Sequence, residues 1–217
     1  MTNCGLTIEI YSDVVCPWCY IGKRRLERAL NQINGAAEAR IIWRPFQLNP
    51  TMPKAGMDRL VYLEAKFGGP AATKSIQDRI AAVGALEGID FVFDRIARTP
   101  NTFDAHRLIW LAQREGRQDE VVEELFQAYF IQGLDITTHE GLLVPAERAG
   151  LDREKTRAFL QSGEGLAEVR DEEARGHRLG IRGVPYFLIN GTTAISGAQP
   201  VETFVSTCAQ LSRRIEA

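Results

Sequence analysis

Two cysteines separated by two residues are the feature of this sequence best suited to chemistry. Cys16 and Cys19 follow a predicted strand and lie at the predicted start of a helix. A helix start presents free N–H groups and a partial positive charge, and both favour a thiolate over a thiol. The second thiol lies on the same side of the first turn and can attack a mixed disulfide on the first. The spacing therefore predicts thiol–disulfide exchange, with Cys16 as nucleophile and Cys19 as resolving thiol.

The two residues between the cysteines are predicted to shape this site and to contact substrate. Pro17 suits a first helical turn, where its missing N–H costs nothing, and it stiffens the turn. Trp18 offers a large apolar face without a charge. Both are therefore assigned to substrate binding.

A zinc site and an incidental cysteine pair are the alternatives to redox chemistry. Structural zinc usually requires four nitrogen or sulfur ligands. The chain has four cysteines but no second Cys-x-x-Cys, and His106, His139 and His177 show no ligand spacing. We therefore expect no bound metal.

Other polar and thiol side chains have plainer interpretations. Cys208 lies on the apolar stripe of the last predicted helix and is expected to be buried and inert, whereas Cys4 is expected to be an exposed thiol. His106 is expected to be a packed or surface residue.

Glu9 and Asp13 lie near the reactive turn, where a buried carboxylate could accept a proton from Cys19, although Asp13 could simply end the strand. A solvated helix face is predicted for three basic residues: Arg24, Arg25 and Arg28.

Composition restricts the class of protein. The 217 residues are 45% hydrophobic, which suits one or two domains with a sizeable core. The net charge is −2, and nothing in the sequence resembles the basic stripe that nucleic acids attract. No basic, apolar leader and no run of about 18 apolar residues is present, so neither a signal peptide nor a membrane span is expected. We expect a cytoplasmic protein, and the sequence leaves undecided whether it forms a homodimer.

The elements that must position the cysteines follow from hydrophobic periodicity. Strand, helix and strand patterns over residues 7–47 predict a parallel βαβ unit, with Asn34-Gly35 ending the helix. Mainly helical patterns follow, and the order then becomes helix, strand, strand, helix around an Asn190-Gly191 turn. We predict one mixed sheet built from residues 1–56 and 163–217, with residues 57–162 as a helical insertion domain.

Several motifs in combination resemble the DsbA-like FrnE family of the thioredoxin superfamily. They are SDVVCPWCYIG at 12–22, WRPFQLNP at 43–50, NTFDAHRL at 101–108, GIRGVPYF at 180–187 and SGAQP at 196–200. The same branch is similar to kappa-class glutathione transferases and 2-hydroxychromene-2-carboxylate isomerases. Those enzymes typically carry serine at the first cysteine position, whereas this chain keeps both cysteines.

The resemblance implies an α/β, thioredoxin-like fold with a large all-helical insertion. It also implies exchange with protein or peptide disulfides, or with small thiols such as glutathione as co-substrate, and no other cofactor. Pro185 is implied to be cis and to face the reactive sulfur, so that the Val184 backbone can pair with an extended substrate. Similarity to relatives that bind glutathione implies one more contact. Ala198 and Gln199 of this chain would lie at the start of the last helix, whose N–H groups could hold a carboxylate of glutathione.

Three functions remain open from the sequence. The first is a DsbA- or FrnE-like oxidoreductase or isomerase that uses Cys16 and Cys19. The second is a glutathione-dependent isomerase or transferase on the same fold. The third is a redox-inactive peptide-binding or chaperone-like module that uses the apolar surface around Trp18.

Overall fold

The N-terminal part forms the predicted parallel βαβ unit. A computed structural model describes residues 5–33 and 39–216 of the protein. Strand β1 (Thr7–Ser12) leads into helix α1 (Pro17–Gln32), and β2 (Arg40–Pro45) returns parallel to β1. Pro17 occupies the first helical turn as predicted. The predicted helix end at Asn34-Gly35 lies outside the described residues.

A run of helices with a short two-stranded sheet follows β2. Its elements are β3 (Met57–Asp58), α2 (Arg59–Phe67), α3 (Pro70–Leu86), a 3-10 turn (Phe93–Arg95), β4 (Arg98–Thr99), α4 (Phe103–Arg114), α5 (Gln118–Phe126), a π-helical turn (Gln127–Ile131), α6 (His139–Arg148) and α7 (Arg153–Gln161). The antiparallel pair β3–β4 is not apparent from the sequence. Asp58 caps α2 by accepting a hydrogen bond from the Val61 N–H, which fixes where this helix begins.

The C-terminal part completes one mixed sheet. Helix α8 (Leu166–Arg178) precedes the hairpin of β5 (Tyr186–Ile189) and β6 (Thr193–Ser196), and α9 (Val201–Glu216) ends the described chain. At the hairpin turn, Asn190 and Gly191 have φ of 51° and 69°, the left-handed backbone that such a turn requires. The strand order is β2-β1-β5-β6, with β5 antiparallel to β1.

The two faces of β1 bury different side chains. Ile8 and Ile10 join the large core, in which Phe187 of β5 packs edge-on against Phe204 of α9. Tyr11 belongs to a smaller cluster on the other face, under α8. The helices therefore cover both faces of the sheet, and the α/β architecture with a helical insertion agrees with the prediction. Over the described residues, no helix is both long and apolar enough to cross a membrane.

Candidate active site

Cys16 lies at the start of α1 and Cys19 lies one turn further along the helix. Cys16 is the N-cap residue, with extended backbone (φ −93°, ψ 109°), and its carbonyl accepts a hydrogen bond from the Cys19 N–H (3.0 Å). The Cys16 N–H itself donates to the Asp13 carbonyl (2.9 Å), which closes the turn between strand and helix. Both cysteines are buried free thiols. Within the described ranges, no group of three or more potential ligands surrounds them in the manner of a metal site.

The loop before β5 meets the first cysteine. The Val184–Pro185 peptide bond is cis, as the resemblance implies. The Cys16 thiol donates a hydrogen bond to the Val184 carbonyl, with 3.6 Å between sulfur and oxygen. Gly22 of α1 permits this approach, because a Cβ atom there would lie 3.1 Å from Pro185 Cγ. The structure therefore brings Cys16, Val184 and Pro185 together.

Cys19 is held in an environment that favours its neutral form. Burial raises the pKa of the Cys19 thiol well above its usual value, and the neighbouring Cys16 acts in the same direction. Hydrogen bonds from the Ser12 side chain and the Asp13 backbone only partly oppose this rise in pKa. Cys19 is therefore a protonated thiol behind Cys16 in the dithiol form.

Asp13 is a buried carboxyl group that ties the reactive turn to the chain after β2. Its carboxyl oxygens accept hydrogen bonds from the Leu48 N–H (2.8 Å) and, more weakly, from the Val15 N–H (3.5 Å). Burial raises the pKa of Asp13 to about 6. Its carboxyl group bonds to these backbone groups rather than to Cys19, whereas the Asp13 backbone does reach Cys19. Asp13 therefore does more than end the strand.

His106 of α4 lies beside Asp13. Its side chain is buried, and its Nε2 atom is 3.7 Å from Asp13 Oδ1 without a hydrogen-bond partner in the described structure. Burial lowers the pKa of His106 to about 4, so the ring is neutral at physiological pH. Of the two expected positions, packed or at the surface, His106 takes the packed one, and its neighbour is the carboxyl group beneath the reactive turn.

Glu9 does not belong to this site. Its carboxylate pairs with Arg175 of α8 (2.7 Å) and with Arg44 of β2 (2.8 Å). The hydrogen bond from Arg175 is the main cause of a lowered pKa for Glu9, and it outweighs burial. Glu9 instead fastens α8 to the sheet, so it is not placed to accept a proton from Cys19.

The prediction of a solvated basic face on α1 is wrong for Arg24 and Arg25 and holds only for Arg28. Arg24 donates to Glu123 of α5, and Arg25 and Arg28 both donate to Glu87 at the end of α3, at 2.7 and 2.6 Å. Only Arg28 is about half exposed. The three guanidinium groups therefore join α1 to two helices of the insertion, at contacts that periodicity within α1 cannot reveal.

A groove of about 330 Å³ opens beside Cys16. Pro17, Trp18 and Val184 line it, whereas Pro185, the fourth residue predicted to bind substrate, does not belong to its lining. Most of its other walls come from the insertion: Arg59, Tyr62, Leu63, Lys66, Phe67, Ile76, Gln77, Arg79, Ile80, Phe93 and Thr99. These residues were not predicted from the sequence, because no local pattern shows that α2 and α3 fold over the cysteines.

The two residues predicted to hold glutathione lie outside the lining of this groove. The Ala198 carbonyl accepts a hydrogen bond from Arg25 (2.6 Å), and the Gln199 side-chain amide donates to the Ser196 carbonyl (2.8 Å). Helix α9 begins at Val201, two residues after Gln199. A glutathione contact at Ala198 and Gln199 stays a prediction.

A comparison with protein-family models decides the family. The model for the DSBA-like thioredoxin domain matches residues 7–209. The chain belongs to this family. That membership confirms the DsbA-like resemblance and the thioredoxin-like fold with its helical insertion.

Individual relatives agree with the family. A probable DsbA oxidoreductase from Streptomyces coelicolor is 33% identical, with a TM-score of 0.85 over 95% of this chain and 89% of its own. The uncharacterized protein YwbO of Bacillus subtilis is 27% identical over 91% of this chain and 92% of its own. Two solved structures at 18% identity, each matching 97% of its own chain, share the fold. They are a 2-hydroxychromene-2-carboxylate isomerase (TM-score 0.71 over 96% of this chain) and the cytosolic disulfide reductase DsbM of Pseudomonas aeruginosa with GSH (TM-score 0.62 over 97%).

Proposed function

We propose that this DSBA-like chain is a thiol–disulfide oxidoreductase that exchanges Cys16 and Cys19 with disulfides of peptides or small thiols. The observation that carries the proposal is the position of the Cys16 sulfur at the N-terminus of α1, in contact with the cis Val184–Pro185 loop. Cys19, one turn behind, is buried and protonated, so Cys16 is the thiol placed to react first.

The reaction proceeds in two exchanges. The Cys16 thiolate attacks one sulfur of the substrate disulfide, forms a mixed disulfide and releases the other substrate sulfur as a thiolate. Cys19 then loses its proton to water or to the departing thiolate and attacks the Cys16 sulfur. This step forms the Cys16–Cys19 disulfide and releases the second substrate sulfur as a thiol. Two electrons pass to the substrate, and two molecules of a thiol such as glutathione return the pair to the dithiol form.

The Val184 backbone offers the substrate a place to bind. Its carbonyl faces Cys16, and within the described residues its N–H donates to no other backbone group. An extended peptide next to Val184 could form the two hydrogen bonds of an added strand. Trp18 and Pro17 would then contact the residues that flank the substrate cysteine.

Reduction or isomerisation of disulfides is the direction we propose. We place the protein in the cytoplasm, where thiol pools keep most cysteines reduced. The neighbour DsbM, a cytosolic disulfide reductase solved with GSH, is consistent with this direction.

Insulin reduction with glutathione as electron donor tests the proposal. Cys16→Ser should abolish turnover, Cys19→Ser should slow it because release of the mixed disulfide then depends on attack by glutathione, and Cys208→Ser should retain the activity because Cys208 is buried in α9. Turnover in Cys16→Ser equal to that of the unchanged protein would refute the assignment.

A glutathione-dependent isomerase or transferase is the second candidate. The structural match to a 2-hydroxychromene-2-carboxylate isomerase favours it. An isomerisation or conjugation reaction that reduces no disulfide, strictly needs glutathione and survives Cys19→Ser would select this function, because such a reaction needs no resolving thiol.

A further inference from the structure

The groove beside Cys16 contains a buried cation with an unpaired donor. Arg59, the first residue of α2, is 6% exposed and lines this groove. Its Nη1 atom donates to the Tyr129 hydroxyl at 2.7 Å, whereas its buried Nε atom has no hydrogen-bond partner. Within the described part of the chain, no carboxylate forms an ion pair with this guanidinium. A guanidinium group is a permanent cation in proteins.

Aromatic rings compensate only part of this charge. The guanidinium carbon of Arg59 lies 5.7 Å from the Phe93 ring centroid and 5.5 Å from that of Tyr129. Such contacts are favourable, but they leave the Nε–H without an acceptor. A buried charge that lacks a hydrogen-bonded counterion is destabilising. An anion entering the groove would supply the missing acceptor.

The rest of the groove favours an anion of limited size. Lys66 of α2 and the exposed Arg79 of α3 also line it, and no Asp or Glu belongs to the lining that the structure describes. Its volume of about 330 Å³ lies near the lower end of the range for small-molecule sites, which is about 300–1,000 Å³. The combination of three cations, apolar walls and one reactive sulfur suits a small thiol that carries a carboxylate.

We propose that Arg59 is the anion-binding residue of this groove and receives a carboxylate of a small thiol or disulfide substrate whose sulfur reacts at Cys16. This inference rests on the proposed exchange chemistry and specifies its substrate class. Arg59 would bind and orient the substrate, with the Nε–H and the second terminal nitrogen of the guanidinium facing the carboxylate. Lys66 and Arg79 would attract the anion towards the groove.

Kinetics with charged and neutral disulfides test the inference. The probes are glutathione disulfide, its tetraethyl ester and 2-hydroxyethyl disulfide, each reduced with dithiothreitol as the electron donor after subtraction of the uncatalysed rate, and compared in the unchanged protein and in Arg59→Met. We expect Arg59→Met to lower kcat/KM for glutathione disulfide about 10- to 100-fold, as loss of a hydrogen bond to a charged group implies. Turnover of 2-hydroxyethyl disulfide should change by less than about twofold, because it carries no carboxylate. The control Lys74→Met removes an exposed charge of α3 outside the groove and should leave both rates unchanged.

The outcomes separate this inference from the proposed function. If the unchanged protein reduces none of the three disulfides, the exchange chemistry itself is refuted. If it reduces them all but Arg59→Met slows the charged and neutral substrates equally, Arg59 is structural and the inference is overturned. Equal rates of the unchanged protein with glutathione disulfide and its ester would overturn it as well.

A second measurement remains decisive if Arg59→Met does not fold. Folding is expected, because Tyr129 keeps its hydrogen bond to the Arg98 carbonyl (3.2 Å) and methionine removes an unpaired buried charge. In the unchanged protein, calorimetric binding of S-methylglutathione, which cannot react, should be about 10- to 100-fold tighter than binding of its diethyl ester. Equal affinities, or no binding of either compound, would overturn the inference.

Discussion

Replacing Asp13 with asparagine should change how the stability of the protein depends on pH. Asp13 is 1% exposed, and burial raises its pKa from 3.8 to about 6. A carboxyl group with a raised pKa binds its proton more tightly in the folded chain than in the unfolded chain. Its contribution to stability is therefore complete below pH 3.8 and is lost as the pH rises through about 6.

The size of the effect follows from the two pKa values. They differ by about 2, and a difference of one corresponds to about 1.4 kcal/mol, so ionisation of Asp13 inside the fold costs about 3 kcal/mol. An asparagine side chain cannot ionise, so the Asp13→Asn protein does not lose this stability as the pH rises. Relative to the unchanged protein, the free energy of unfolding of Asp13→Asn should rise by about 3 kcal/mol between acidic pH and pH 8, mostly between about pH 4 and 6.5.

Urea unfolding at fixed ionic strength measures this difference. Both proteins are titrated at closely spaced pH values, and the difference between their free energies of unfolding is plotted against pH. The hydrogen bond that asparagine cannot accept shifts the whole curve by a constant, so only its slope is interpreted. Parallel curves, or a slope of opposite sign, would refute the reasoning, because either would mean that burial does not raise the pKa of Asp13 in the folded protein.

Three other substitutions test the packing around the site. Gln118→Leu should lower the free energy of unfolding by about 2–4 kcal/mol, measured in urea, because the Gln118 side chain bonds both the buried N–H and the carbonyl of Trp43. Cys208, fully buried with a pKa raised to about 11, should resist iodoacetamide at pH 8 in the native protein, and Cys208→Ser serves as the control that reports labelling of the other cysteines. Gly22→Ala should cost about 1–3 kcal/mol and slow exchange, because its Cβ would lie 3.0 Å from Phe187 Cζ and 3.1 Å from Pro185 Cγ.

Each of these three predictions would be contradicted by a specific experimental result. A urea midpoint for Gln118→Leu equal to that of the unchanged protein would mean that water satisfies the Trp43 backbone. Labelling of Cys208 at the same rate in native and urea-unfolded protein would show that α9 opens freely. Unchanged melting and exchange rates in Gly22→Ala would mean that the loop at Pro185 can move away from α1 without consequence.

The reactive turn and the hairpin could be predicted from the sequence because short-range rules determine both. Cys16, Pro17 and Cys19 occupy the start of one helix, where spacing alone decides which groups face each other. Asn190-Gly191 adopts left-handed backbone because asparagine and glycine tolerate it. The burial of Cys208 likewise follows from the apolar stripe of its helix.

The groove could not be predicted because its contacts join distant parts of the chain. Arg59 meets Tyr129 across 70 residues, and Arg24 meets Glu123 across 99. Periodicity predicted that residues 57–162 are helical, but it carries no information on how the helices pack over Cys16. Arg24 and Arg25 of α1 were misassigned for this reason, since a helical pattern identifies polar positions without showing which carboxylates approach them.

Trapping of the mixed disulfide tests the central claim most directly. Cys19→Ser is incubated with glutathione disulfide under native conditions, and the modified cysteines are located by peptide mass mapping. Our account predicts that Cys16 carries one glutathione while Cys208 remains free, and that dithiothreitol reverses the modification. A protein in which Cys16 stays unmodified would contradict the assignment of Cys16 as the nucleophile.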